Sequence, residues 1–399
     1  AVNYLKGEKS FNESTWANYF RHGSYGNDET TFYKDVLQLK AGHYQVYKSG
    51  KLLTTKWYHF NTTGYDGDDN NLIQKFDTLL KKAVGYRFVS DVPVGVNLSG
   101  GIDSSALTYL TTKENPLINA FTFYTGDERY DELPWVEKLL ENTRVAWHKV
   151  KLSSQEIPDL ANKISQIQDE PFGGIPTLAY AKLFQEAKHL GIKVVLDGQG
   201  MDEQLGGYDY YYKQGQSVVQ GATSRATIPE ACLLDVEQTK EQVHLTFKDE
   251  LLQKQYIDLF HKKLPRALRF NDRISMASSV ELREPFLDHN LVEWSFHLPL
   301  IYKYANHKTK ALLRSYLSQK LPGNIVEAPK RPLQTPQREW LRNELKEWSV
   351  DMINVALTTG WLNKTVVEKE MQHFWQGKSD NSFYIWQWIN LGLLVNETR

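Results

Sequence analysis

The chain has 399 residues, 41% of them hydrophobic and 24% charged, with 47 Lys plus Arg against 48 Asp plus Glu and a formal net charge of -1. That length holds two domains, or one large domain with an appendage, and the balanced charge gives no ground for nucleic-acid binding. A single cysteine, Cys232, excludes an internal disulfide, a Cys-rich zinc site and a CxxC redox pair. It is compatible with a reducing, cytoplasmic setting, and no apolar run approaches the roughly 20 residues that cross a bilayer.

Residues Ala1–Lys9 carry neither a long apolar stretch nor a small-residue cleavage site, so no signal peptide is expected. The start at Ala1 rather than Met is expected to mark a fragment. Gly42–Tyr47, Lys48-Ser49-Gly50 and Lys51–Tyr58 predict two strands around a tight turn. Asn61–Asn70, with two glycines and three aspartates, reads as a linker or surface loop, and its Asn61-Thr62-Thr63 sequon is taken as chance.

From Leu72 the pattern changes. Leu72, Ile73, Phe76, Leu79, Leu80, Ala83 and Val84 fall at helical spacing, with Asp68–Asn70 as caps. Val92–Leu98 predicts a strand that ends in a Gly-rich turn, and a helix is expected from Ala106. Further strands are expected over Ile118–Tyr124, Ala146–Leu152 and Ile192–Leu196, separated by helices that include Leu133–Asn142 and Thr177–His189. Alternating strands and helices predict an α/β fold with a parallel sheet covered on both faces, followed from about Lys240 by a largely helical part. The aromatic residues Phe383, Tyr384, Trp386 and Trp388 have helical spacing and are expected in the core. His148, His261, His289 and His307 show no metal-ligand spacing.

The most informative segment is Asn97-Leu98-Ser99-Gly100-Gly101-Ile102-Asp103-Ser104-Ser105. It lies between a strand's carboxyl end and a helix start, where parallel sheets hold their ligands. Glycines let backbone approach a phosphate, the serines offer hydroxyl donors, and the helix N-terminus favours an anion. No GK[ST] follows, so this is not a Walker A loop. Asp103 beside a polyphosphate calls for a bridging cation, for which magnesium is suited. The plainer reading is a strand-to-helix turn that needs glycine.

Ser99–Ser105 resembles the SGGxDSS pyrophosphate loop of the ATP pyrophosphatases. Within that group, Tyr130-Asp131-Glu132, Asp169-Glu170-Pro171-Phe172 and Val194–Tyr208 resemble the "YDE", "DEPF" and "VVLSGDGADELFGGY" segments of the glutamine-hydrolysing asparagine synthetases. Met276-Ala277 with Glu281–Asp288, Lys308–Arg314, and Lys330 with Pro336 and Glu339-Trp340-Leu341 are similar to three further segments of that family. The resemblance covers about residues 70–399. Leu39–Tyr44 resembles the end of the family's N-terminal-nucleophile glutaminase domain. Residues 1–60 are therefore expected to be the β-rich C-terminal remnant of that domain, and 61–399 the synthetase domain, with an adenine nucleotide alpha-hydrolase-like sheet.

The resemblance implies adenylation of the aspartate side-chain carboxylate by ATP, then attack by ammonia to give asparagine, AMP and pyrophosphate. It implies Mg2+ on Asp103 and Asp202, and charge neutralisation by Lys330. It places Asn97, Leu98, Ser99, Gly100, Gly101, Ser104, Ser105, Phe123, Asp197 and Gly198 around the nucleotide. Gln199 stands where many members carry a carboxylate discussed as a base for ammonia, and glutamine cannot take a proton. The glutaminase nucleophile is expected to be absent, so ammonia is the expected nitrogen donor, and a homodimer is compatible with the family. Asp202-Glu203 also reads as a helix cap, Lys330 as surface charge, and Glu281 with Arg283 equally as an internal ion pair or a substrate contact. Amidation of another carboxylate is the alternative within the family. A tRNA-modifying pyrophosphatase and a non-catalytic remnant are disfavoured by the lone cysteine and the intact motifs.

Overall fold

A computed structural model of the chain describes residues 10–23, 25–26, 28–63, 67, 71–212, 226–236, 246–328 and 334–397. A hairpin, β1 (His43–Lys48) and β2 (Lys51–Lys56), pairs in antiparallel register around Ser49-Gly50. Both turn residues have positive φ, 51° and 77°, the backbone that a two-residue hairpin turn demands. Five strands then build one parallel sheet: β3 (Val94–Asn97), β4 (Asn119–Tyr124), β5 (Ala146–Lys151), β6 (Val194–Leu196) and β7 (Glu281–Arg283), in the order β5-β4-β3-β6-β7. The chain enters at β3, runs outward to β5, and returns to lay β6 against the other side of β3. The strand order therefore reverses between β3 and β6, and a crevice opens at their carboxyl ends.

Alternation along the strands sends side chains to two cores. Phe121, Phe123 and Val195 face one cluster; Val94, Val96, Ala120, Val194 and Leu196 face the other. The first cluster gathers α5 (Ile157–Gln168), α6 (Ile175–His189) and the C-terminal helix Phe383–Glu397, and the second α2 (Leu72–Phe88) and α3 (Ile102–Glu114). α4 (Leu133–Leu140) links β4 to β5. The longer β6-to-β7 connection carries α7 (Met201–Gln204), α8 (Glu250–Phe260) and α9 (Lys263–Ala277). Tyr384, Trp386 and Trp388 are buried as expected, while Phe383 is half-buried.

Three elements depart from the sequence reading. An N-terminal helix, α1 (Glu13–His22), is capped by Asn12 and buries Trp16, Tyr19 and Phe20 in the first core. α3 begins at Ile102, four residues earlier than the apolar periodicity from Ala106 indicates. β7 is short and charged at both ends, and is a strand because β6 offers it a ladder. The caps expected for α2 at Asp68–Asn70 lie outside the described residues; Asn71 occupies the cap position without a side-chain bond.

Candidate active site

The crevice is floored by the turn after β3. Leu98 N–H donates to Phe121 O at 2.8 Å, and Thr122 Oγ1 donates to Leu98 O at 2.6 Å, so the turn leaves the sheet from a fixed point. Ser104 Oγ lies 2.9 Å from Ser99 O and 3.0 Å from Gly101 O, and Ser105 Oγ donates to Gly101 O at 2.8 Å. The serine hydroxyls thus hold the loop's own carbonyls. Gly100 N–H donates to Glu132 Oε2 at 3.2 Å; a Cβ at Gly100 would press on Trp135 and Glu132. With α3 starting at Ile102, Asp103 stands in its first turn, where a carboxylate is favoured by the helix dipole.

Asp202 stands in the first turn of α7, after the β6 strand. Asp103 and Asp202 converge on one point, and Lys310 Nζ occupies it, 2.5 Å from Asp103 Oδ2 and 2.7 Å from Asp202 Oδ1. Lys310 is buried, in the left-handed backbone region, at the start of the helix Ala311–Leu317. Burial alone would lower its pKa, but the two carboxylates outweigh that and hold it above the usual lysine value. Gly207 makes room for the arrangement: a Cβ there would collide with Asp202 Oδ1 and Lys310 Cε. Two hard oxygen donors aimed at one cation-sized point suit a divalent ion that also takes phosphate oxygens.

Beside the loop, Asn97 Nδ2 donates to Asp197 Oδ2 at 3.0 Å and Gly198 N–H to Asp197 Oδ1 at 2.6 Å. Burial raises the Asp197 pKa, against bonds from Asn97, Gly198 and Tyr180 that favour the carboxylate. Asn97 Oδ1 is buried without a hydrogen-bond partner, which leaves an acceptor for a ligand donor. Asn97, Leu98, Ser99, Ser104, Phe123 and Asp197 line a single cavity. A Cβ at Gly198 would reach van der Waals contact with the Asp103 backbone, so glycine lets the β3 and β6 loops lie side by side. Gln199 is half-buried in that second loop.

The remaining motif residues divide. Asp131 accepts from Thr125 and Gly126 N–H at 2.7 and 2.8 Å and so shapes the turn after β4. Glu170 is clamped by Arg269 and Arg273 of α9 at 3.4 and 3.1 Å. Arg283 Nε lies 2.9 Å from Glu281 Oε1 and its guanidinium also donates to Arg87 O and Val89 O; this is the internal ion pair. Lys330 lies outside the described residues. The sequence reading assigned no role to Lys310, Glu132, Tyr180 or Glu284. Lys310 sits inside the Lys308–Arg314 motif, but its partners lie more than a hundred residues away in sequence. Glu284 has two buried carboxylate oxygens beside Asp197, and burial holds it well above the usual carboxylate range.

A family model described as Asparagine synthase matches residues 75–396. "Asparagine synthetase [glutamine-hydrolyzing] 1" of Bacillus subtilis (strain 168) is 23% identical over 410 residues, covering 90% of this chain and 65% of that protein. A "Putative asparagine synthetase [glutamine-hydrolyzing]" of Mycobacterium tuberculosis (strain CDC 1551 / Oshkosh) is 26% identical over 422 residues, covering 91% of this chain and 64% of its own length. A "Putative asparagine synthetase [glutamine-hydrolyzing] 2" of Methanocaldococcus jannaschii is 31% identical over 214 residues, 52% of this chain and 41% of that protein. The chain thus spans less than two-thirds of the length of these relatives. Among the described residues no helix is long and apolar enough to cross a membrane. With a matching model over most of its length and the loop, crevice and motif residues in one fold, the chain belongs to the asparagine synthase family.

Proposed function

We propose that the chain is an ATP-dependent amide ligase that adenylates the side-chain carboxylate of aspartate and passes the acyl group to ammonia, giving asparagine, AMP and pyrophosphate. The observation that carries this reading is the convergence of Asp103 and Asp202, from two different helix N-termini, on one cation position at the switch-point crevice. Adenylation brings two anions together, so neutralising and aligning them is most of the task. The α3 N-terminus favours the anionic pyrophosphate portion, and the Gly100-Gly101 turn lets it approach the backbone. Asn97, Phe123, Asp197 and Gly198 hold the adenosine, with the open Asn97 Oδ1 accepting from it. Asp103 and Asp202 would hold Mg2+, which supplies charge neutralisation on the phosphates when bound. Lys330, by its place in the motif, adds a further positive charge. Gln199 can orient ammonia through its carbonyl oxygen but cannot take its proton.

The hairpin supports a second part of the reading, in which residues 1–60 belong to a β-rich glutaminase domain and 61–399 to the synthetase. Tyr44, Val46 and Leu53 lie on one face of the hairpin and Tyr47 and Leu52 on the other, yet all are exposed. A two-stranded ribbon with apolar residues on both faces is built to be covered by further strands.

The test is pyrophosphate and AMP release over a panel of carboxylic acids with ATP, Mg2+ and ammonium. Aspartate-dependent AMP, matched by asparagine, is expected. Release with a sugar acid or another amino acid, and none with aspartate, would move the assignment to that substrate. ADP in place of AMP would remove adenylation altogether.

A further inference from the structure

Lys310 is more than a neighbour of the two carboxylates. Its side chain is 4% exposed against 19% for Asp103 and 22% for Asp202. It reaches them from a third segment of the chain, 207 residues from Asp103. Three features fix it there: the left-handed backbone at its own position, the side-chain space left by Gly207, and two charge-assisted bonds to one ammonium. The nearby Arg314 cannot substitute, because its guanidinium is turned to the carbonyls of Thr309, Val326 and Ala328.

We infer that Lys310 is a resident counter-cation which keeps Asp103 and Asp202 from taking a divalent metal until a polyphosphate arrives, so that metal and nucleotide enter together. The inference rests on the assignment of those two aspartates to Mg2+ made above. Two carboxylates and one ammonium leave a single negative charge. A dication entering alone must shed water, which Mg2+ does reluctantly. It must also push a buried ammonium off both partners, with no other carboxylate paired to it among the described residues. A polyphosphate removes both obstacles. It gives the ammonium new oxygens to bind, and it brings the metal already partly neutralised. A loop that invites anions can therefore carry two carboxylates at its centre. With Lys310 between them, the resting site does not repel the nucleotide by two full charges.

The probe is Mn2+, followed by electron paramagnetic resonance on the full chain, without nucleotide and with α,β-methylene-ATP. The native protein is expected to bind Mn2+ at this site only with the nucleotide. Lys310→Met is expected to bind nucleotide-free Mn2+ about tenfold more tightly or better, since it exposes two uncompensated carboxylates. Adding Asp103→Asn to Lys310→Met should abolish that gain. Equal nucleotide-free affinities in native protein and Lys310→Met overturn the inference. If Lys310→Met does not fold, the native protein decides alone. Nucleotide-free Mn2+ bound at a site that Asp103→Asn removes overturns the inference, and binding only with nucleotide supports it. A third pattern, Mn2+ held with the nucleotide but indifferent to both Asp103→Asn and Asp202→Asn, overturns the metal assignment itself and this inference with it.

Discussion

Two buried ion clusters in this molecule are mirror images in charge. At the crevice one ammonium, Lys310, lies between two carboxylates. In the connection between α5 and α6, one carboxylate, Glu170, lies between two guanidiniums, Arg269 and Arg273. The second cluster is tied further into the fold: Arg269 also contacts Gln38, and Arg273 reaches Gln168 O. It pins the turn after α5 to α9, and its excess charge is spread over two arginines about a third exposed or less. The first cluster has excess negative charge, stands at two helix N-termini beside a loop of backbone donors, and opens on the sheet's switch point. Similar chemistry therefore does different work: the position relative to the sheet's carboxyl edge separates a clamp from a site.

Substitutions sharpen that contrast. Asp103→Asn or Asp202→Asn should cut Mg2+-dependent pyrophosphate release about a thousandfold, because an amide cannot supply the charge that a bridging cation needs. Thermal melts of the two variants should stay close to wild type. Glu170→Gln should do the reverse. Two neighbouring arginines lose their counter-ion, but burial already holds the Glu170 carboxyl above its usual range against them, so stability should fall by about 1 kcal/mol. Turnover per folded molecule should change less than about twofold. Urea unfolding beside a rate assay reads both, and a large rate loss without destabilisation in Glu170→Gln would merge the two clusters into one functional site.

A third buried charge tests what isolation costs. Lys303 donates to Gln255 Oε1 at 2.9 Å and to Phe296 O, forms no ion pair among the described residues, and is pushed down to about 7 by burial against a weaker pull from Asp249. Its pKa in the fold lies below the unfolded value of 10.5. The associated stability is therefore fully present above 10.5 and is lost as pH falls toward 7, by a few kcal/mol at most. Denaturation midpoints of wild type should rise between pH 7 and 10, and Lys303→Met should flatten that rise. An equal slope in both proteins would place the titration elsewhere.

Gln199 gives the smallest expected effect. With no base at this position, amide formation should rise with pH as free ammonia increases. Gln199→Glu should flatten the rise about two- to threefold while leaving pyrophosphate release nearly unchanged. Identical pH profiles for amide formation would remove Gln199 from proton management.

Much of the site was legible because its parts are local. The glycines, serines and Asp103 lie within seven consecutive positions, and Asp197, Gly198 and Asp202 within six, so motif and chemistry could be read together. The strands β3 to β6 carried enough apolar residues to be placed within two or three residues of their ends. What escaped was long-range. β7 is three residues long with Glu281 and Arg283 at its ends, and only pairing with β6 makes it a strand. α3 begins early because Ser104 and Ser105 hydroxyls hold the carbonyls at its start, a side-chain effect invisible to apolar periodicity. Lys310 meets its partners across gaps of more than a hundred residues, and no local pattern announces such a meeting.

The central claim is that the crevice joins a carboxylate oxygen of aspartate to the α-phosphorus of ATP. Aspartate labelled with 18O in its side-chain carboxylate, incubated with ATP, Mg2+ and ammonium, tests it at the reacting atoms. Mass spectrometry should find one 18O atom in AMP and none in pyrophosphate, and the transfer should disappear in Asp103→Asn. Unlabelled AMP formed at the same rate as asparagine would contradict the account, because the amide would then have been made without an acyl adenylate.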